Sequence, residues 1–326
     1  MDKIPNRSGV TFPAMGIGCW SYGGGDYWGL QAQSDVDEVV GTALDNGINF
    51  FDTAAGYNEG RSEESLGIAL KSRRQEAVIG TKTGDVNPQT LSQQLESSLR
   101  RLQTDYVDLY MVHWPNPKYS ADELFESLMQ IKRAGKVRAI GVCNFGVKQL
   151  SEGLVVNDQI EINQLCYNLL SRAIEIEIMP LCTQNKIGIL AYMPLLQGIL
   201  ADRFQRIEDI PPQQSRFRHF RSNKEMSIHR ESGAETKMWE TIEQIRHICR
   251  DENQPMSRLS IAWVMAKSAV SCVLVGTRNV DELTENLKTV NYVISPELEQ
   301  KLDEVTLSLR DQMGSNADYF WATRTH

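Results

Sequence analysis

Short apolar runs and amphipathic stretches alternate along the chain at near-regular spacing. The apolar runs fall at residues 15–20, 48–51, 77–81, 107–112, 137–142, 159–163, 188–192 and 272–275. They read as apolar on both faces, the pattern of parallel strands with helices outside and side chains packed within. Helical stretches fall between them at 34–46, 61–71, 87–102, 121–134, 147–153, 174–185, 234–251 and 257–268, and residues 283–290 lie in the eighth helix. Ser34 or Asp35 is placed to cap the first helix and Asn46-Gly47 to stop it. Pro88 falls in the first turn of the third helix, and Gly135 ends the fourth.

Eight such units predict an α/β fold, a closed (β/α)8 TIM barrel formed as a single domain over residues 1–326. The competing architecture is an open doubly wound sheet, whose GxGxxG fingerprint would follow the first strand and open a helix. Gly16-Ile17-Gly18 and Gly23-Gly24-Gly25 lack that spacing, and no linker splits the chain. Two segments fall outside the repeat. Residues 198–233 carry Pro211-Pro212 and little apolar periodicity, which predicts a long loop after the seventh strand. Residues 296–309 predict a C-terminal helix, and 311–326 a tail with Tyr319, Phe320 and Trp321 that packs on the barrel or closes part of its mouth.

Charge and composition narrow the partners. The 34 Lys and Arg against 42 Asp and Glu leave a net charge of -8 and no basic stripe, which argues against nucleic acid. The arginines at 203, 206, 216, 218 and 221, with Lys224, are interrupted by acids. No run of about 18 apolar residues points to a membrane, and the polar start MDKIPNRSG lacks a signal-peptide core. The 6 cysteines form no close pair and no zinc-like spacing, so the expected compartment is reducing and cytoplasmic. No apolar seam on the outer helices sets an oligomeric state.

Four ionisable residues end successive strands: Asp52 (INFFD), Tyr57 in the loop beyond it (AAGYNEG), Lys82 (VIGTK) and His113 (YMVH). A barrel gathers them over its C-terminal mouth, where such folds keep their chemistry. If Asp52 pairs with Lys82, a fixed ammonium beside Tyr57 favours loss of the phenolic proton. His113 is placed to hydrogen-bond a substrate carbonyl. Without a serine or cysteine nucleophile the set suits proton transfer, and the hydride that completes such a reaction implies a cofactor. A metal is not implied by one histidine and one aspartate. Amides at Asn144 and Gln164 are placed to clamp a carboxamide, and Tyr192 to stack on a flat ring. Val275-Gly276-Thr277-Arg278 opens onto a helix bearing Asn286 and suits a phosphate.

These segments together resemble the aldo-keto reductase superfamily. The matching stretches are GIGCW, INFFDTAAGYNEGRSEESLG, VIGTKTG, LRRLQTDYVDLYMVHWP, GKVRAIGVCNF, QLCYNLLSR, AYMPLLQGIL and VLVGTRNVDELTENL, from Gly16 to about residue 309. The resemblance is to the microbial branch that includes potassium-channel β-subunit-like and inositol-catabolism-like oxidoreductases. It implies a catalytic tetrad of Asp52, Tyr57, Lys82 and His113, with Tyr57 as general acid and base. It also implies that Gly18, Cys19 and Trp20 line the cofactor, that Cys143, Asn144, Gln164 and Tyr192 hold its nicotinamide, and that Pro194, Leu195, Gln197 and Gly198 wrap its pyrophosphate. Gly276, Thr277, Arg278, Glu282, Glu285 and Asn286 then take the adenosine end. Cys143 stands where the family more often has serine. NADP(H) is the favoured cofactor, because Arg278 fits a 2′-phosphate. Glu282 departs from the arginine or glutamine of many relatives and keeps NAD(H) in play.

The substrate expected is a small carbonyl compound or alcohol: an aldehyde, a ketone, a sugar or a cyclic polyol. Trp20, Tyr22, Tyr27 and Trp28 form an aromatic patch after the first strand, and Trp114 adjoins His113. Trp20, Tyr27, Trp28 and Trp114, with Tyr57 and His113, are the candidate substrate contacts. With Asp26 and Asn116 nearby, the aromatics suit a sugar face, and the arginines of the long loop suit an acid. The competing readings are a cofactor-sensing regulatory or channel-associated subunit with little catalysis, and a non-redox sugar-binding barrel.

Overall fold

Strands that are apolar on both faces can be satisfied only by a sheet with packing on each side, and here the sheet closes on itself. A computed structural model describes residues 7–321. Parallel strands β1 (Met15–Gly18), β2 (Phe50–Asp52), β3 (Val78–Lys82), β4 (Val107–Val112), β5 (Val137–Cys143), β6 (Ile160–Cys166), β7 (Gly188–Tyr192) and β8 (Val270–Gly276) pair in chain order. β8 returns to pair with β1, so no edge remains open. Helices α1 (Gln33–Asp45), α2 (Arg61–Leu70), α3 (Leu91–Leu102), α4 (Ala121–Arg133), α5 (Val147–Val156) and α6 (Ile178–Gln184) cross back between successive strands. α7 (Glu235–Asp251) and α8 (Met256–Ala266) precede β8, and α9 (Val280–Val290) and α10 (Pro296–Met313) follow it. This is the expected (β/α)8 barrel.

Alternate side chains of each strand fill two separate cores. Phe50, Leu109, Met111, Ile162 and Leu190 meet inside the barrel, while Phe51, Ile79, Tyr110 and Val142 join the larger core beneath the helices. Phe50 plugs the floor, edge-on to Phe12 with ring centres 4.7 Å apart. Its ring needs glycine on both neighbouring strands: a Cβ at Gly16 would come within 2.8 Å of it, and one at Gly80 within 3.1 Å. The packed floor leaves only the C-terminal rim available for a site.

Several local expectations are corrected. α1 starts at Gln33 after Ala32, with no side-chain cap from Ser34 or Asp35. Asn46 and a left-handed Gly47 do follow its last turn. α3 begins at Leu91 rather than at 87. Asn87 Oδ1 accepts from the Gln89 amide and its carbonyl accepts from Thr90, so Pro88 sits in a turn that delays the helix. The first strand stops at Gly18, and the last helix runs on to Met313.

The 198–233 segment is not a loose loop. Phe217, Phe220 and His219 are fully buried, and the Arg218 guanidinium donates to Asn316 O at 2.9 Å, Asp318 O at 3.2 Å and Glu231 at 2.9 Å. Its apolar residues pack against the tail rather than along a helix, so no periodicity marks them. The start of the chain and the end of the predicted tail, residues 1–6 and 322–326, lie outside the described residues. Among the described residues no helix is long and apolar enough to cross a membrane.

Candidate active site

The barrel brings the four strand-end residues together. Lys82 ends β3 fully buried, and its ammonium donates to Asp52 Oδ2 at 2.8 Å, to Thr53 O at 2.8 Å and to the Tyr57 phenol oxygen at 3.2 Å. Gln164, on β6 across the barrel, donates to the other Asp52 oxygen at 2.7 Å. The Tyr57 and His113 rings meet edge-on with centres 5.7 Å apart. Tyr57 enters this position from a strained turn, since Asn58 and Glu59 after it have φ of 49° and 60°. The Asn58 amide offsets the strain by donating to the carbonyls of Trp20 and Tyr22, both at 2.8 Å.

Burial controls the protonation states. Desolvation pushes Tyr57 up to about 12, although Lys82 pulls the other way. Lys82 favours loss of the phenolic proton, as expected, but it limits the rise caused by burial and does not reverse it. Desolvation also lifts Asp52, against the pull of Lys82. Burial alone would lower Lys82, but Asp52 and the phenol outweigh it and hold the ammonium above its usual range. His113 is driven down to about 3, by desolvation and then by Lys82, so its imidazole is neutral at physiological pH.

A cavity of about 490 Å³ runs from Tyr57, His113 and Trp114 to Gly276, Arg278 and Glu282. Gly18, Trp20, Trp28, Asp52, Asn144, Gln164, Tyr192, Pro194, Leu195, Gln197 and Gly198, all expected as cofactor or substrate contacts, also line it. Other expected residues stand elsewhere. Cys19 and Cys143 are fully buried away from the wall, the Cys143 sulfur 3.7 Å from Met111 Sδ inside the barrel. Glu285 points outward and pairs with Lys288. Thr277 and Asn286 bond to each other at 3.2 Å beneath the loop, and Tyr27 stacks on Trp20 at 4.8 Å. Tyr22 is core rather than part of an aromatic patch, and Asp26 and Asn116 are exposed outside the cavity lining.

Asn144 is largely committed within the protein. It accepts from the Tyr192 hydroxyl at 2.7 Å and donates to His113 O at 3.2 Å, leaving one lone pair and one N–H for a ligand. Sequence reasoning did not assign Ser21, Met193, Ala201, Ile228 or Leu274 to the wall, and it named Arg203 and Arg216 only among the loop arginines suited to an acid. The described part of the tail packs on the barrel and reaches the cavity. Tyr319 is buried and accepts from the Ala173 amide at 3.0 Å, while Phe320 and Trp321 line the cavity.

The wall fits a dinucleotide. Gly18 and Gly276 are register partners, and a Cβ on Gly276 would meet nothing within 4 Å, so bare backbone faces open space. Left-handed residues Leu196, Gln197 and Gly198 form a tight turn beside it. Arg203 and Arg278 supply positive charge at the far end. Arg278 also donates to Gln31 Oε1 at 3.1 Å and Leu30 O at 2.7 Å, and its amide donates to Glu282 at 2.9 Å.

Comparisons agree with this geometry. The Aldo/keto reductase family matches residues 14–306. The chain is 31% identical over 322 residues to an NADH-specific methylglyoxal reductase of Escherichia coli, covering 90% of this chain and 95% of that one. It is similar in structure to the glycerol dehydrogenase of Gluconobacter oxydans, with a TM-score of 0.79, 26% identity and coverage of 94% and 95%. An aldo-keto reductase from Klebsiella pneumoniae solved with NADPH gives a TM-score of 0.73, 25% identity and the same coverage. The chain therefore belongs to the aldo/keto reductase family and is an NAD(P)-dependent oxidoreductase of carbonyl and alcohol groups.

Proposed function

We propose that Tyr57 is the general acid when the protein reduces a small aldehyde or ketone, and the general base in the reverse oxidation. The observation that carries this reading is the phenol oxygen in the cavity wall, 3.2 Å from an ammonium that is itself locked to Asp52. The bound nicotinamide cofactor supplies or accepts the hydride. Tyr57 gives its proton to the carbonyl oxygen as negative charge builds there, and Lys82 stabilises the phenolate left behind. Asp52 and Gln164 hold Lys82 in register. Neutral His113 orients the carbonyl by hydrogen bonding and exchanges no proton. Gly18 and Gly276, the Leu195–Gly198 turn, Gln164 and Tyr192 would hold the cofactor.

Cofactor choice follows from three charges. Arg203 and Arg278 outnumber Glu282 at the far end of the cavity, which supports NADP(H) as the preferred cofactor. Glu282 supports acceptance of NAD(H) as well, because a carboxylate there can accept from ribose hydroxyls. Methylglyoxal and glycerol, the compounds named for two relatives, belong in the substrate panel.

The test is Tyr57→Phe, with turnover of an aldehyde, ketone and sugar panel followed by cofactor absorbance in both directions. Turnover falls by about 10²–10⁴-fold while NADPH binding persists. Undiminished turnover would falsify the assignment of Tyr57.

A further inference from the structure

We infer that Arg216 makes the substrate site selective for carbonyl compounds that also carry a carboxylate. This deepens the reading of the cavity as a carbonyl-reducing site and rests on it. Arg216 comes from the long segment after β7 and lines the same cavity as Tyr57 and His113. Its guanidinium lies 5.1 Å from the ring centre of Tyr27 and 5.1 Å from that of Phe320. Phe320 lines the cavity, and Tyr27 packs behind its lining residues Trp20 and Trp28. Tyr27 stacks on Trp20, which neighbours Tyr57 at 6.0 Å, and Phe320 meets Trp114 edge-on at 6.0 Å, beside His113. Arg216 therefore touches both the aromatic cluster around Trp20 and the one around Trp114.

The chemistry of this group is unsatisfied. Arg216 Nε is buried and has no hydrogen-bond partner, and no carboxylate among the described residues pairs with the guanidinium. The indole N–H of Trp28, which meets Tyr27 edge-on, is also buried in the cavity wall without a partner. Both groups can only donate. A buried donor without an acceptor is unfavourable. A ligand acceptor in the cavity relieves such a donor, and an anionic one also pairs with the guanidinium charge. The rings of Tyr27, Phe217 and Phe320 pack around the guanidinium, so less freedom is lost when it binds a carboxylate. Arg203 and Arg278 differ in this respect, since the Arg203 guanidinium pairs with Glu282 and that of Arg278 donates to Gln31 and Leu30.

The two negative groups that can reach such a cation are a substrate carboxylate and a cofactor phosphate, and the experiment separates them. The probes are 4-carboxybenzaldehyde and its methyl ester, which share an aldehyde and a ring but differ in charge. In Arg216→Met the ratio of kcat/KM for acid over ester falls by about 10- to 100-fold, the loss expected for a hydrogen bond to a charged group. Arg216→Lys restores part of the ratio, because the charge returns without the planar fork. An unchanged ratio overturns the proposal. So does an unchanged ratio with weaker NADPH binding, which assigns the guanidinium to the cofactor phosphates. Titration calorimetry of benzoate into the protein–NADP⁺ complex reads the site without turnover. Benzoate binding lost in Arg216→Met, with neither aldehyde reduced by the parent, supports the anion site and refutes the carbonyl-reducing reading. Benzoate binding that ignores Arg216, or is absent in the parent, refutes the anion site whatever the turnover.

Discussion

Replacing Lys82 with methionine tests the central electrostatic claim. The ammonium lies 3.2 Å from the Tyr57 oxygen, with no solvent exposure. At an effective dielectric of about 20, a unit charge at that distance favours the phenolate by about 5 kcal/mol. Asp52 opposes part of this, which leaves roughly 3–4 kcal/mol, or two to three orders of magnitude in phenolate population. Alcohol oxidation needs the phenolate, so its rate at neutral pH falls by about 10²–10³-fold, and its rise with pH moves further into the alkaline range. In the parent protein that rise already continues towards about 12, because burial outweighs the ammonium.

The assay is initial-rate oxidation against pH, with cofactor affinity measured separately. Removing one partner of a buried pair costs about 3–5 kcal/mol of stability, so a folding control is needed. Asp52→Asn combined with Lys82→Met removes both charges and recovers much of that loss while remaining as slow as the single variant. A folded Lys82→Met protein whose oxidation rate and pH profile match the parent refutes the reasoning.

Two further outcomes follow from charges elsewhere. Glu282→Gln removes a carboxylate 3.5 Å from Arg203 at the far end of the cavity. The ratio of NADPH to NADH affinity rises by about tenfold, read by fluorescence titration, and a ratio that holds or falls contradicts the assignment of this end. His219 is fully buried and bonds Leu170 O at 2.9 Å, and desolvation lowers it to about 4. Its folded value lies below its unfolded one near 6.5, so the unfolded chain alone takes up a proton as pH falls between them. Stability from this group is complete above about 6.5 and falls by about 1.4 kcal/mol per pH unit down to about 4. His219→Gln keeps a donor for Leu170 and flattens the slope of unfolding free energy against pH by about one proton; an unaltered slope contradicts the burial argument.

Local pattern determined the strands, their order and the chemical identity of the reacting groups. Apolar runs at near-regular intervals dictate a closed parallel barrel, and a barrel places every strand end on one rim, so Asp52, Tyr57, Lys82 and His113 were legible together. Helix starts were less legible. The side chains of Asn87 and Ser34 offered alternatives that only the folded neighbourhood resolves. The cavity wall beyond the rim belonged to tertiary structure. Arg216, Ile228 and Arg203 lie in a segment without period, and what points them inward is the packing of Phe217 and Phe220 and the hold of Arg218 on the tail carbonyls. Protonation was likewise decided by the fold. The sequence names an ammonium beside a phenol, but the balance between its pull and the desolvation of a buried ring exists only once the chain has excluded water from both.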